Sequence, residues 1–313
     1  MEKIYDIIII GAGPAGLAAG LYAGRAREET LIIEKGNIGG LITSTNEIEN
    51  YPGGLPGDSG ISLTERMRLQ AEEFGVKITL DEIISADVTG PIKILKSHNA
   101  VYKAKSVIIA SGALPRFLGC PGETAHIGMG VSYCATCDGS FFSGLEVYVV
   151  GGGDSALEES VYLTKFASKV TIIHRRDAFR AAKSVVEKAQ KNSKIHFILD
   201  SVVEEIKGEG PVDEILIKNI KSGEITSHKA DPANGMMGVF IYAGYLPNSE
   251  LWQTILTMDD RGYIITDAEM RTNVPGVFAA GDIREKTLRQ VATAVSDGAV
   301  SAVTASAYVD ELN

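Results

Sequence analysis

The sequence predicts an α/β chain of two domains built on one repeated pattern, the second domain inserted into the first. Three observations carry this. A short apolar strand pattern, Tyr5–Ile10, runs straight into Gly11-Ala12-Gly13-Pro14-Ala15-Gly16 and an Ala-rich stretch. The same order of features returns 140 residues later as Leu145–Val150 and Gly151-Gly152-Gly153-Asp154-Ser155-Ala156. Beyond that copy, Val277-Phe278-Ala279-Ala280-Gly281-Asp282 reads as one more buried strand, by which the chain resumes the first domain. A length of 313 residues, 45% hydrophobic and 22% charged, is ordinary for two globular domains.

Tyr5–Ile10 is β-branched and continuous rather than alternating, as expected of a parallel strand covered on both faces. Gly11 allows the tight turn after it, Gly13 lets a pyrophosphate approach the backbone, and Gly16 lets helix and strand pack closely. Leu17–Arg25 is helical in character, and the N-terminus of that helix, behind Pro14 and Ala15, offers free N–H groups to phosphates. The next strand, Thr30–Ile33, ends in Glu34, 18 residues after Gly16, near the offset at which such units place a ribose-binding acid. These are the features of a Rossmann-like dinucleotide-binding domain of three-layer ββα type, and the acid suits an unphosphorylated ribose, as in FAD or NAD. In the second copy the strand Lys169–Ile173 is followed, 18 residues after Ala156, by His174-Arg175-Arg176, with Arg180 beyond. A carboxylate would repel a 2′-phosphate and guanidinium groups bind one through charge-assisted bonds, so this second site, with Gly153, Asp154 and Ser155 on its phosphate side, suits NADPH.

Lys35–Thr43 and Asn46–Gly54 are rich in Gly, Asn and Pro and read as a long loop that wraps a cofactor. Ser62–Phe74 reads as an amphipathic helix. Short strands near Ile78, at Ile92–Leu95 and at Val101–Lys103 read as a small meander, and Val107–Ala113 as a buried strand. Leu114–Gly122 and Ala243–Asn248 read as linkers, which divides the chain into a first domain of residues 1–113 and 246–313 and an inserted one of residues 114–245. Thr287–Tyr308 is a long helical stretch containing Arg289, Gln290, Thr293 and Asp297. Asp282, an acid just after a strand end, either bonds a ribityl or ribose hydroxyl or caps the next helix.

The inserted domain carries Cys134-Ala135-Thr136-Cys137-Asp138-Gly139. Two cysteines at this spacing close a tight disulfide or stand as a dithiol of lowered pKa. Such a pair takes two electrons from one partner and passes them on by disulfide exchange. Zinc is the competing reading and wants four ligands. The one other cysteine is Cys120, and none of the five histidines stands at a close ligand spacing, so no metal is expected. Cys120 itself reads as a small hydrophobe. A formal charge of −10, from 40 acids against 30 bases, argues against a nucleic-acid partner. No apolar run is long enough to span a bilayer, no signal peptide is evident, and three cysteines suit a reducing compartment, so a cytoplasmic protein is expected.

Taken together these residues resemble the low-molecular-weight thioredoxin reductases over nearly the whole chain. The matching stretches are Gly11–Gly16, Glu34, Gly39-Gly40, Glu49-Asn50-Tyr51-Pro52-Gly53, Ser111-Gly112-Ala113, Cys134–Gly139, Gly151–Ala156, His174-Arg175-Arg176, Arg180, Gly281-Asp282 and Arg289-Gln290. Of these, Cys-Ala-Thr-Cys within the second nucleotide domain is the most specific. The resemblance implies FAD at the first site, with Lys35, Gly39, Gly40, Leu41, Thr43, Asn50, Gly112, Gly281, Asp282, Arg289, Gln290 and Val291 joining the glycine loop and Glu34 around it, and NADPH at the second. It implies thioredoxin as the disulfide partner, a homodimer, Cys137 as the sulfur facing the flavin, Cys134 as the attacking one, and Asp138 as proton donor and acceptor. Read without the family, Asp138 is equally a turn or cap residue. The chain departs from the family pattern at Leu41, where a glutamine is usual, at Met237, where an aspartate is usual, and at Cys120, where an aliphatic residue is expected. A reductase of another disulfide protein, one fed by ferredoxin, and a non-catalytic flavin redox sensor are the alternatives; the arginines of the second site favour a hydride donor. The cysteine pair must meet the flavin and also a protein substrate, so a swing of the inserted domain about its linkers is expected.

Overall fold

A run of β-branched residues forms β1 (Ile4–Ile10), and it is apolar on both faces because parallel strands flank it on both sides and layers cover it above and below. It opens a computed structural model that describes residues 3–45, 48 and 50–312; Asn46, Glu47 and Glu49 of the expected cofactor loop lie outside the described residues. The chain divides into two units, residues 1–114 with 246–313, and residues 115–245. In the first, α1 (Pro14–Arg25) begins three residues before the Ala-rich stretch, since Pro14 at the first helical position has its φ preset and no N–H to lose. Then come β2 (Thr30–Glu34), α2 (Gly60–Glu73, opened by a Ser59–Ser62 capping box), β3 (Lys77–Leu80), β4 (Ser85–Asp87), β5 (Lys93–Lys96) and β6 (Val101–Ile109). Two of these elements depart from the sequence pattern. The strand at Ile78 belongs to no meander: β3 extends the sheet in parallel beside β2. Val101–Lys103 and Val107–Ile109 are one strand, because Ala104 and Ser106 are buried while Lys105 reaches an ion pair with Asp6 at 2.9 Å.

β7 (Ala113–Pro115) leads into the second unit, which runs β8 (Val131–Ser132), α3 (Ala135–Asp138), β9 (Glu146–Val150), α4 (Asp154–Leu163), β10 (Lys169–Ile173), α5 (Lys183–Gln190), β11 (Ile195–Ile198), β12 (Ser201–Lys207), β13 (Glu214–Asn219), β14 (Ile225–Lys229) and β15 (Gly238–Ile241). A parallel sheet of order β11-β10-β9-β15-β8 lies between helices and an antiparallel β12-β13-β14 sheet. The period of two is visible along β9: Val147 and Val149 pack with Leu157 and Ala189 of the helices, Tyr148 and Val150 with Val203 and Ile215 of the antiparallel sheet. Helix α4 stops at Leu163, and the Phe166 N–H closes a tight turn onto the Leu163 carbonyl at 3.0 Å.

β16 (Tyr245–Pro247) pairs with β7, and the chain resumes the first unit with β17 (Val277–Ala279) and α6 (Val291–Leu312). The first sheet has the order β3-β2-β1-β6-β5-β4, and β17 pairs in parallel with the C-terminal part of β6 while β5 pairs antiparallel with its N-terminal part. Ile7 and Ile9 are buried against α1 and α6; Ile8 is buried on the opposite face with Leu95, Trp252 and Ile264. Each such side chain contributes roughly 1.5–3 kcal/mol by burial. Helix α6 starts at Val291, later than its apolar pattern, because the Gln290 carbonyl takes the first helical bond from Ala294 (2.9 Å) and Thr293 Oγ1 accepts the Gln290 N–H (3.2 Å). No helix among the described residues is long and apolar enough to cross a membrane.

Candidate functional site

In the first unit the glycine loop lies between β1 and α1. Gly11 has φ +106°, and a Cβ there would stand 2.4 Å from the Ala110 carbonyl oxygen. A Cβ on Gly16 would stand 1.8 Å from the Gly11 oxygen, so helix and loop approach as closely as glycine permits. Gly13 is different: its nearest neighbours are the Gly39 oxygen at 3.9 Å and the Gly40 Cα at 4.0 Å, and its open side is bare backbone. Gly39 N–H donates to the Ala12 carbonyl at 2.8 Å, which docks the Gly39-Gly40 segment beside the loop. Glu34 at the end of β2 accepts the Ala12 N–H at 2.6 Å on one oxygen and the Gly36 N–H at 2.7 Å on the other, so it fixes the loop and keeps lone pairs for hydroxyl donors. A Cβ on Gly281 would lie 2.8 Å from the Ala15 Cβ, which brings the Gly281-Asp282 turn against the start of α1.

Asp282 Oδ1 is buried without a hydrogen bond, with the Lys286 ammonium at 3.8 Å, and burial raises the Asp282 pKa against the pull of Lys286 and Arg289. Arg289 lies over the ring of buried Tyr263, 4.1 Å from its centroid, with Nε and Nη2 also buried and unbonded. Asn50 donates to Gln290 at 3.1 Å, Thr43 donates to the Gly40 carbonyl at 2.8 Å, and Val291 is buried at the first turn of α6. Gly112 at φ +67° is open on its Cβ side and accepts the Asn248 N–H at 3.0 Å. Lys35 is exposed and pairs with Glu82 at 3.8 Å; Leu41 is exposed as well. An open glycine backbone, an acid with a spare buried oxygen and a guanidinium with unbonded nitrogens fit a group bearing phosphates and hydroxyls.

In the second unit the loop Gly151–Gly153 precedes α4. Gly153 is open, whereas a Cβ on Gly152 would strike the His174 ring at 2.1 Å. His174 is thereby packed on the loop, stacked on Phe179 at 5.4 Å, and 5% exposed, while Arg175, Arg176 and Arg180 stand in solvent. Burial lowers its pKa, and the three arginines lower it further. His174 Nε2 is buried without a partner. The Arg180 N–H donates to the Gly152 carbonyl at 2.8 Å, and Asp154 accepts the Ala182 N–H at 2.7 Å, so the arginine segment is fastened to the loop; Ser155 is exposed at the helix start. Three exposed arginines on a segment tied to an open glycine loop fit a phosphorylated nucleotide.

The same unit holds the sulfurs. Cys134 and Cys137 are joined as a disulfide with Cα atoms 5.3 Å apart, Cys134 at the N-cap of α3 and Cys137 within its first turn. Asp138 accepts the Ser132 hydroxyl at 2.6 Å, and burial raises its pKa although that bond opposes the shift. Among the described residues no group of His, Cys, Asp and Glu could hold a metal ion.

A family profile described as pyridine nucleotide-disulphide oxidoreductase matches residues 5–298. The chain belongs to this family of oxidoreductases. It is similar to a thioredoxin reductase of Peptoclostridium acidaminophilum, 55% identical over 310 residues that cover 99% of this chain and 98% of the relative. It is also similar to one of Peptoclostridium litorale, 54% identical over 312 residues that cover 100% and 99%. Among solved structures it resembles the thioredoxin reductase of Streptococcus pyogenes MGAS5005, 46% identical, covering 99% of this chain and 100% of that one with a TM-score of 0.92. Both units are accordingly dinucleotide-binding domains, and membership of the pyridine nucleotide-disulphide oxidoreductases implies a flavin and a pyridine nucleotide.

Several groups of this oxidoreductase carry no local sequence signal. Asp297, mid-helix in α6, accepts the Gly281 N–H at 3.1 Å and pairs with Lys286 at 2.8 Å and Arg284 at 3.3 Å, all under the Asp282 turn. Glu123 is 1% exposed and accepts the N–H groups of Leu118 (2.9 Å) and Gly119 (2.8 Å) and the Tyr133 hydroxyl (2.8 Å). The Tyr242 hydroxyl accepts the Ala135 N–H at 2.7 Å, and the Tyr245 hydroxyl donates to the Tyr133 carbonyl at 2.8 Å. A hydrophobic or acidic residue followed by a turn gives no hint of such long-range partners.

Proposed function

We propose that this chain is an NADPH-dependent thioredoxin reductase that binds FAD in its first domain and NADPH in its second. The observation that carries the reading is the Cys134–Cys137 disulfide lying in the same unit as a glycine loop to which an arginine cluster is fastened. When bound, the flavin relays two electrons from the reduced nicotinamide to the disulfide. The residues of the chain do the rest. Gly13 and the N-terminus of α1 receive the pyrophosphate, and Glu34 accepts a ribose hydroxyl. Asp282 accepts a ribityl hydroxyl with its spare oxygen, and Arg175, Arg176 and Arg180 hold the 2′-phosphate.

Two electrons open the S–S bond. Of the two protons that accompany them one goes to a sulfur and one to Asp138, leaving the other sulfur a thiolate. Cys134 attacks the thioredoxin disulfide to form a mixed disulfide, and Cys137 displaces the reduced thioredoxin as Asp138 returns its proton. The pair must meet both the flavin and a protein, so the inserted domain swings about Leu114–Gly122 and Ala243–Asn248 between half-reactions. A homodimer working in the cytoplasm completes the reading; sedimentation of the purified protein tests the first of these.

The central test is anaerobic titration of the flavin-loaded protein with NADPH, NADH or reduced ferredoxin. Bleaching of the flavin by NADPH at low concentration, with two new thiols per chain and turnover on thioredoxin, is expected. Bleaching by reduced ferredoxin alone moves the protein to another donor. NADPH oxidation without thiol formation removes the disulfide from the pathway.

A further inference from the structure

One peptide group joins the redox centre to the end of the inserted unit. Tyr245, where the chain leaves that unit, donates its hydroxyl to the Tyr133 carbonyl at 2.8 Å. The N–H of the same peptide, that of Cys134, donates to Ser132 Oγ at 3.1 Å. Ser132 donates in turn to Asp138 Oδ2 at 2.6 Å; its carbonyl alternative, that of Cys134, is farther at 3.4 Å, so the single hydroxyl proton goes to the carboxylate. Every bond of this chain points the same way, from Tyr245 O–H through Tyr133 C=O and Cys134 N–H and Ser132 O–H to Asp138. Hydrogen bonds so aligned polarise one another, most strongly when the last acceptor is ionised and the surroundings are dry. Ser132 is 4% exposed. Titratable groups beside the relay include Tyr242, whose hydroxyl accepts the Ala135 N–H, Glu159 of α4, which acts on Tyr242 through its charge, and Tyr133, whose hydroxyl donates to Glu123 with Cys120 nearby.

We propose that Ser132 and Tyr245 are positioning residues of a hydrogen-bond relay, which stabilises ionised Asp138 in the disulfide state and transmits loss of that charge to the second linker. The proposal rests on the proton role given above to Asp138. On reduction the negative charge moves from Asp138 to a sulfur, the last acceptor of the relay weakens, and the grip of Tyr245 on the Tyr133 carbonyl slackens with it. The linker thus receives word of the redox state through five residues of one unit.

The experiment equilibrates the flavin-loaded protein with dithiothreitol redox buffers and counts thiols after acid quench and alkylation. In that exchange the protein disulfide and the reduced reagent become the protein dithiol and the cyclic reagent disulfide, with no donor nucleotide or thioredoxin needed. A relay that favours the disulfide state gives Tyr245→Phe an equilibrium shifted about threefold toward the dithiol and Ser132→Ala about tenfold, on the scale of hydrogen bonds to charged groups. Ser132→Thr restores the parent value. The double variant Ser132→Ala with Tyr245→Phe matches Ser132→Ala alone, because the relay is already cut; independent structural effects would multiply to about thirtyfold. With Asp138→Asn as background Tyr245→Phe changes nothing, and this second cycle serves where Ser132→Ala fails to fold. Multiplying effects, or a Tyr245→Phe equilibrium equal to the parent's while Asp138→Asn shifts it, overturn the relay and leave the proposed function standing. An equilibrium that Asp138→Asn leaves unmoved removes the proton role and the relay together.

Discussion

Glu123→Ala cuts a tie between the first linker and the segment before the disulfide. The carboxylate is buried and accepts three donors, the Leu118 and Gly119 N–H groups and the Tyr133 hydroxyl. A buried donor without an acceptor costs about 1–3 kcal/mol. Gly119 is exposed and Leu118 half-buried, so water replaces the carboxylate for those two amides. What remains is the Tyr133 hydroxyl and a small cavity, together about 2 kcal/mol, or about a thirtyfold rise in the population of the opened unit. Cys120 offers the readout. It is a free thiol, half-buried against the same cluster, and in the oxidised protein Cys134 and Cys137 are tied up in their disulfide. Its reaction with a thiol reagent therefore follows the opening of the inserted unit. Burial pushes the Cys120 pKa up to about 11, and the Glu123 charge contributes to the shift, so removing the charge alone also speeds labelling. Glu123→Gln separates the two effects, since it keeps the shape and drops the charge. Labelling about thirty times faster in Glu123→Ala, with Glu123→Gln clearly slower than that, is expected. A Glu123→Ala rate within threefold of the parent, or equal rates for the two variants, refutes the reasoning.

Three more outcomes follow from other sites. Lys286→Met removes an ammonium bonded to Asp297 at 2.8 Å in a place where both side chains are buried. Breaking a buried pair costs roughly 3–5 kcal/mol; Arg284 and the Gly281 N–H stay on Asp297, so a loss of about 2–3 kcal/mol in urea unfolding, with faster flavin release on dilution, is expected. Arg175→Ala with Arg176→Ala raises KM for NADPH about 100-fold and leaves KM for NADH within threefold, as two lost charge-assisted bonds require; equal losses for both nucleotides would falsify the phosphate role. His174 and His228 are both held harder to protonate than usual, His174 by burial and three arginines and His228 by burial and Lys169. The unfolded chain then takes up protons first on acidification, so the stability they contribute is present above the ordinary histidine pKa of about 6.5 and is lost as pH falls from there through the lowered folded values. A urea midpoint that declines between about pH 7 and pH 5, and declines less in His228→Phe, is the expected profile.

What could be read from the sequence was what the backbone demands locally. Gly11, Gly16 and Gly151 mark places where a Cβ collides with main chain or a facing side chain, and the β-branched strands on either side announce a sheet buried on both faces. Cys134 and Cys137 were legible because their pairing needs only a short span of chain. The arginine cluster stood out by its offset, yet His174 beside it turned inward, since Gly152 leaves a space that its ring fills. Partners made by folding left no such trace. Glu123 finds Tyr133, Ser132 finds Asp138, and Asp297 finds Lys286 through the way elements stack, and an acid on a helix looks the same in sequence whether it meets water or a lysine. The local pattern separates Val101–Lys103 from Val107–Ala113, yet β6 runs unbroken between them because pairing with neighbouring strands overrides a weak local preference.

The crossing of α1 and α6 bears on how the protein is made. A Cβ on Gly298 would stand 2.1 Å from the Ala15 carbonyl oxygen, so the helix that opens the first unit is seated directly on the helix that ends it. A nascent polypeptide therefore reaches the ribosome exit with residues 115–245 ready to fold while its own beginning still waits for a seat. Chains stalled near residue 280 should resist protease across the insert and be cut around Ile7, and only the last helical turns to emerge should close that wound.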